Sequence, residues 1–228
     1  MTRDRMKLIL TPPSPAQEIM DQDVALLERA EKTGESFLHL YEWLPNAATY
    51  GYFVNPATVF DPQVSLDLGK RPTGGGVLFH THDYAFSLIL ANHHPLYSAN
   101  TLESYRQIHQ MLKELLTPFL KKRPAELTTD APCNSNARQR FCMAEPTRYD
   151  LLLEGKKLAG AAERRKKNAL LHQTTISLCP PDFAFLEKAL VNGKETIESM
   201  RRWSAYLGDQ SDLPSLRKEL QETLCKIL

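Results

Sequence analysis

The stretch from Tyr149 to Arg165, YDLLLEGKKLAGAAERR, constrains this chain more than any other. Leu151 to Leu153 is an apolar run of strand length, and Glu154-Gly155-Lys156 is a tight turn in which glycine supplies the positive φ of a short hairpin. The returning strand is unusual. Leu158-Ala159-Gly160-Ala161-Ala162 carries almost no side chain, which makes it a poor core strand by propensity. Glycine within a strand marks close approach of another group to the backbone. With Lys157 at its head, such a strand suits a slot for an extended apolar ligand whose polar end lies near the ammonium. The same residues also suit a small-residue strand packed beneath a helix, with the lysine in solvent.

A chain of 228 residues fits one domain. Hydrophobic residues are 42% and charged residues 24%, the usual balance of a globular protein, and the net charge of +1 gives no drive toward nucleic acid or anionic membrane. The charged start, Met1 to Lys7, is not followed by a long apolar segment, so no signal peptide is expected. No apolar run reaches the roughly 18 residues of a membrane span. The four cysteines (Cys133, Cys142, Cys179, Cys225) have neither CxxC pairing nor metal-ligand spacing, so reduced thiols in a cytoplasm are the expectation.

In chain order, Ser14 to Lys32 predicts a helix, with Ser14 as N-cap, Pro15 at the first helical position, Gln17 completing a capping box and Gly34 as the stop. Phe37 to Tyr41 alternates as a strand, and Ala48 to Phe53 predicts another after a turn at Leu44-Pro45-Asn46, its Gly51 again hinting at close backbone approach. Ala85 to Leu90 predicts a buried strand, Ser98 or Asn100 caps a long helix to about Leu120, and Lys121 to Arg140 predicts a polar loop. Ala169 to Leu178 predicts a strand, followed by three helical pieces. This order is α+β: a mixed, largely antiparallel sheet or sheets flanked by helices. Residues 1–228 are expected to form a single domain, with 182–228 a helical segment packed upon it.

Lys70 to Leu90 is the second informative stretch. Gly74-Gly75-Gly76, between Arg71 and the strand-like Val77 to Phe79, makes a loop whose N–H groups, helped by the arginine, suit a phosphate or carboxylate. It lacks the GK[ST] of a Walker loop and the GxGxxG spacing, and a hairpin that merely needs glycines would look the same. His80 and His82 would share one face of a strand, but no third metal ligand accompanies them.

Together these stretches carry a resemblance. Arg71-Pro72-Thr73-Gly74-Gly75-Gly76 with Phe79-His80 resembles the glycine-rich signature of the lipoate–protein ligase and octanoyltransferase superfamily, the biotin/lipoate ligase catalytic fold. Tyr149-Asp150-Leu151 with Gly155 to Ala162 is similar to that superfamily's lysine-bearing strand, and Leu40-Tyr41-x-Trp43-x-Pro45 through Phe53 resembles its early hairpin. The match spans roughly residues 8–178.

The resemblance implies attachment of a lipoyl or octanoyl group to a lysine of a carrier domain. The carrier would be a lipoyl domain of a 2-oxoacid dehydrogenase complex or the H protein of glycine cleavage. It implies a tunnel along Leu158, Ala159, Gly160 and Ala161. Lys157 would sit at the acyl carbonyl or adenylate phosphate, with Arg71, Thr73, the three glycines, Phe79 and His80 around the reactive end, and Asp150 near the nucleotide and its magnesium. Two mechanisms stand open. In the first, and favoured by the unbroken glycine triplet, ATP and magnesium activate lipoate as an adenylate. In the second, Cys142, ahead of Tyr149-Asp150 in the register of a cysteine-dependent branch, takes octanoyl from acyl carrier protein as a thioester, Lys157 depressing its pKa. A third, non-enzymatic reading is a decayed acyl- or lipoyl-domain-binding protein.

The chain departs from the family pattern in places. Thr81 stands where an aspartate often follows the histidine, with Asp83 two places on. His172-Gln173-Thr174 replaces Gln-His-Gly, and the first helix has Asp23 followed by Val24. The roughly fifty residues after Leu178 leave no room for the accessory domain of larger ligases.

Overall fold

The computed structural model describes residues 5–129, 143 and 145–227. The expected α+β class holds. Strands β1 (Lys7–Ser14), β2 (Phe37–Trp43), β6 (Asp83–Ala91), β7 (Ala125–Leu127), β8 (Leu151–Leu153), β9 (Lys156–Arg165) and β10 (Ala169–Ser177) form one sheet, ordered β1-β2-β6-β10-β9-β8-β7. Within this sheet, among the described residues, β1–β2 is the parallel pair and the others are antiparallel. Strands β3 (Ala47–Tyr50), β4 (Asp67–Lys70) and β5 (Val77–Phe79) form a small second sheet, ordered β4-β3-β5.

Both faces of the large sheet are covered, which is why every residue of β6 and β10 is buried. Helix α1 (Ala16–Thr33) packs Leu26, Leu27 and Ala30 on Phe37, Ile89 and Leu171. On the opposite face, α2 (Thr101–Leu116) contributes Ile108, Leu112 and Leu116 to the main core with Phe86, Leu88 and Ile176. Helices α3 (Phe183–Ala189), α4 (Gly193–Trp203) and α5 (Leu213–Leu224) follow the last strand, and Leu207, Leu220 and Leu224 join the main core.

Helix α1 starts differently from its sequence signal. Ser14 closes β1 and its Oγ donates to the Pro12 carbonyl at 2.8 Å, so it is not a cap. The Ala16 N–H instead donates to Asp67 Oδ2 at 2.8 Å, a cap supplied from β4. Gly34 ends the helix as expected, with φ 73°. Strand β1, hidden in the sequence by Pro12-Pro13, lies at the sheet edge, where a missing N–H costs no ladder bond. Asn100 rather than Ser98 caps α2, its Oδ1 accepting from Leu102 and Glu103 N–H. Of the predicted loop 121–140, residues 125–127 form β7 against β8. Cys133 and Cys142 lie outside the described residues. No described helix is long and apolar enough to cross a membrane.

Candidate active site

Register builds the site. Thr175 on β10 pairs with Ala85 on β6 and with Gly160 on β9, so these three form one row across the sheet. The parallel row is Ala162, Gln173 and Ser87. On β2, Leu40 pairs with Phe86, which carries the first row on toward Tyr41. Over these rows lies a cavity of about 210 Å3. Its floor is Gly160, Ala162, Gln173, Thr175 and Ala85, Met20 of α1 enters from one side, and residues of the small sheet and the glycine loop close the top. Apart from Gln173 the rows hold small side chains, so the bare strand of the sequence continues across β10 and β6 as a floor of mostly small residues.

Lys157 stands at the β9 end. Leu151 pairs with Ala159 but Leu152 pairs with Lys157, so β9 holds one extra residue there, a β-bulge. The bulge resets the alternation and brings the Lys157 side chain onto the face of Gly160. A Cβ at residue 160 would lie 2.6 Å from Lys157 Cε and 2.8 Å from its Nζ. Glycine is therefore required because the lysine occupies its side-chain space. Lys157 is 3% exposed and lines the cavity. Its Nζ pairs with Asp150 Oδ2 at 2.6 Å and donates to the Glu145 carbonyl at 3.4 Å.

Asp150 is fully buried and held by protein donors. Its Oδ2 also accepts from the Thr147 N–H at 2.6 Å and Oγ1 at 2.9 Å, and its Oδ1 accepts the Tyr105 hydroxyl at 2.6 Å. Burial, followed by the Asp150 charge, pushes the Tyr105 phenol well above its ordinary value, so it stays a donor. The same hydroxyl accepts the Ala161 N–H at 2.8 Å, filling the ladder position that β8 leaves when it ends at Leu151.

The glycine loop is tied from within. Arg71, 3% exposed, donates from Nη1 to Thr49 Oγ1 at 2.7 Å and from Nη2 to the Gly76 carbonyl at 2.6 Å and the Gly74 carbonyl at 3.4 Å. Thr49 Oγ1 also meets His80 Nε2 at 2.8 Å, and His80 Nδ1 meets Asp83 Oδ2 at 2.7 Å. Asp83 thus partners the histidine at a three-residue remove, where the sequence lacks the expected aspartate at position 81. The His80 ring stacks on Trp43 at 3.9 Å between centroids. Close approach at Gly51 is real: a Cβ there would collide with the Gly75 carbonyl.

Of the residues expected at the site, Lys157, Arg71, Gly75, Gly76, His80, Gly160 and Ala161 line the cavity. Thr73, 1% exposed, supports it by donating to Gln173 Oε1 at 2.6 Å, and a Cβ at Gly74 would meet nothing within 4 Å. Two expectations are corrected. Leu158 and Ala159 are fully buried in the main core rather than along the tunnel: Ala159 faces away from Gly160 by strand alternation, and Leu158 is the extra residue of the bulge. Phe79 packs edge-on against Phe60 and Phe185 behind the small sheet. His80 and His82, read from the sequence as lacking a third metal ligand, have other partners: His80 is engaged by Asp83 and Thr49, and His82 Nδ1 meets Thr81 Oγ1 at 2.9 Å. Cys142 lies outside the described residues, while the next residue, Met143, lines the cavity.

A buried polar network went unread. Gln173 Nε2 donates to Asp23 Oδ2 at 2.6 Å, Ser87 Oγ donates to the same oxygen at 2.6 Å, and Asp23 Oδ1 meets His39 Nδ1 at 2.7 Å. All but Gln173 are fully buried. The available signal was a carboxylate on the apolar face of α1 and polar residues inside apolar strands, which burial forces into mutual pairing.

The residues do not fit a magnesium ion at Asp150, since four protein donors already surround its two oxygens. Among the described residues no group of three or more His, Cys, Asp or Glu is placed to hold a metal ion. The Arg71 guanidinium is likewise engaged by Thr49 and the loop carbonyls, so it is a scaffold of the loop as much as a site for a phosphate.

Comparison with known proteins agrees with this architecture. Residues 15–225 match the family model "Lipoyl protein ligase A/B catalytic domain". The chain is 29% identical over 196 residues to octanoyltransferase LipM of Bacillus subtilis (strain 168), covering 83% of this chain and 70% of that protein. It is 31% identical over 170 residues to octanoyltransferase LipM of Anoxybacillus flavithermus, covering 70% of this chain and 60% of the relative. Among solved structures, lipoate-protein ligase A bound with ATP superposes with TM-score 0.69 at 19% identity, covering 98% of this chain and 84% of that one. The putative lipoate protein ligase Ta0514 from T. acidophilum with bound lipoic acid gives 0.62 at 19% identity, covering 97% and 84%. The chain belongs to the lipoyl protein ligase A/B catalytic-domain family.

Proposed function

We propose that this protein transfers an octanoyl group from the thioester of acyl carrier protein to a lysine of a lipoyl carrier domain, through a thioester on Cys142. The observation that carries the reading is a buried lysine at one end of a cavity floored largely by small residues, whose opposite end is walled by Met20, Tyr41 and Trp43. The cavity takes the acyl chain. Lys157 presents its ammonium where the carbonyl would lie and stabilises the oxyanion as the Cys142 thiolate attacks. The carrier's thiolate leaves and is protonated. The uncharged amine of the acceptor lysine then attacks the thioester, expelling the Cys142 thiolate and losing its own proton. Asp150, fixed by Tyr105 and Thr147, holds Lys157 in place.

Two considerations favour this over ATP-dependent activation of lipoate, which the glycine triplet alone suggests. The relatives at 29% and 31% identity are octanoyltransferases by name. The donors around Asp150 leave it without the open oxygen that a magnesium-bound nucleotide would use. Incubation with octanoyl-acyl carrier protein and a lipoyl domain, without ATP, tests the proposal by intact-mass spectrometry. The expected result is a thioester on the protein, absent in Cys142→Ala, and an octanoylated carrier lysine. Labelling that requires lipoate and ATP would establish the ligase reading instead. Lys157→Ala is expected to lower transfer by at least about a hundredfold.

A further inference from the structure

The cavity has a direction that bears on which acyl chain it accepts. From Lys157 over Gly160 its floor crosses β9, β10 and β6 and reaches β2, a run of about 14 Å at the usual strand spacing of about 4.8 Å. The polar groups Lys157, Glu145 and Thr147 lie at the β9 end. At the other end stand Ala85, Tyr41, Trp43 and Met20, which pack together as one apolar cluster with Ile19, with His80 stacked on Trp43 and the bonded Thr49 and Arg71 along its edge. The end wall is thin. Tyr41, Trp43, His80 and Ala85 also line a separate, open groove bounded by Leu213, Pro214 and Arg217 of helix α5.

Ala85 is the smallest side chain of this wall and sits in the floor row itself, opposite Thr175. It lies on a strand fixed by neighbours on both sides, so its Cβ cannot retreat. Any larger residue there must project into the far end of the cavity. Trp43 is half-buried at the end of β2, held by its stack on His80, and closes the cavity against the groove.

Building on the acyl-cavity reading, we infer that Ala85 and the Trp43 wall set the length of the acyl chain this protein accepts. Ala85 provides the last methylenes' worth of room, and Trp43 stops chains from running on into the groove beneath α5. The substrate class is a straight, saturated, medium-length acyl chain. A chain that stops short leaves apolar wall uncovered, whereas one that is too long meets the indole.

Calorimetric titration of the full chain with butanoate, hexanoate, octanoate and decanoate tests this, the carboxylate standing in for the acyl carbonyl beside Lys157. Two methylenes buried in an apolar site correspond to roughly fifteenfold in affinity, so octanoate is expected to bind about that much more tightly than hexanoate, with no further gain for decanoate. Ala85→Leu should bring the octanoate-to-hexanoate ratio down to about one. Trp43→Ala should act in the opposite direction and make decanoate the tightest. Circular dichroism checks that each variant is folded, and Ala85→Val, with a smaller shift in the same sense, serves if the leucine variant is not. If the unmodified protein binds none of the four, the acyl cavity itself is wrong. If it ranks them as expected but the ranking survives Ala85→Leu and Trp43→Ala unchanged, the acyl cavity stands and the length rule is overturned.

Discussion

The lysine hairpin and the glycine loop face one cavity, and both look like anion sites in the sequence, yet they use their cations differently. Arg71 directs its guanidinium to Thr49 and to two carbonyls of its own loop, so its charge stiffens the backbone around the cavity. Lys157 lies along the floor over Gly160 and meets a carboxylate that is itself anchored from the far face of the sheet by Tyr105. The difference teaches that a basic residue beside glycines is not by itself a ligand site. What matters is which groups already use its donors: chiefly the carbonyls of its own loop for Arg71, and a buried carboxylate for Lys157.

The contrast can be broken by substitution. Gly160→Ala should have the largest effect after loss of the lysine itself: the new methyl takes the place of Lys157 Cε and Nζ and forces the ammonium off the floor. Transfer is expected to fall about a hundredfold, while the overpacking costs only about 1–3 kcal/mol in denaturant unfolding. Equal transfer rates in Gly160→Ala and the unmodified protein would mean the lysine's position is unimportant. Arg71→Ala should show the reverse balance. It removes one donor each from the Thr49 hydroxyl and the Gly76 carbonyl, which keep His80 and the Gly51 N–H, costing about 1–3 kcal/mol, or very roughly 3–10 °C in melting temperature, with a smaller loss of transfer. A large loss of transfer at unchanged stability would reassign Arg71 to the substrate.

Tyr105→Phe sharpens the lysine side of the comparison. It keeps the ring against His109 and His172 but strands Asp150 Oδ1 and the Ala161 N–H, for an expected cost of about 1–2 kcal/mol by urea titration. The smallest effect concerns His109, next to Tyr105 on the same helix face. Burial, then the neighbouring His172, holds its imidazole well below the ordinary value of 6.5. The unfolded chain therefore binds a proton that the folded chain resists. Stability is full above about pH 6.5 and declines as pH falls below it toward the lowered folded value. His109→Leu should flatten that acid-side decline in a pH series of melting temperatures, and a slope unchanged by the substitution would place the acid sensitivity elsewhere.

Much of this was legible from local patterns. The hairpin turn has φ 76° at Gly155, as expected, with Glu154 also at 54°, and Gly51 and Gly160 both mark close approach. The helix start at Ala16 was misread because its cap, Asp67, is 51 residues away, and local pairing rules cannot see it. Leu158 and Ala159 fall outside the tunnel although their small size and place in the strand suggested it: alternation turns Ala159 away from Gly160, and the bulge takes Leu158 off that face as well. The Asp23 network was missed because each member is unremarkable alone and gains meaning only when burial brings helix α1, β2, β6 and β10 together.

By itself, the sequence determined that a lysine precedes a nearly bare strand after a tight turn, that a glycine triplet follows an arginine, and that the elements run in α+β order. Those follow from backbone conformation and side-chain size, which are local properties. Only the tertiary structure decided that Gly160, Thr175 and Ala85 lie in one row, that Asp150 belongs to Lys157, and that Arg71 belongs to its loop. Strand register and desolvation fix those relations, and both arise only when distant segments share a buried interior.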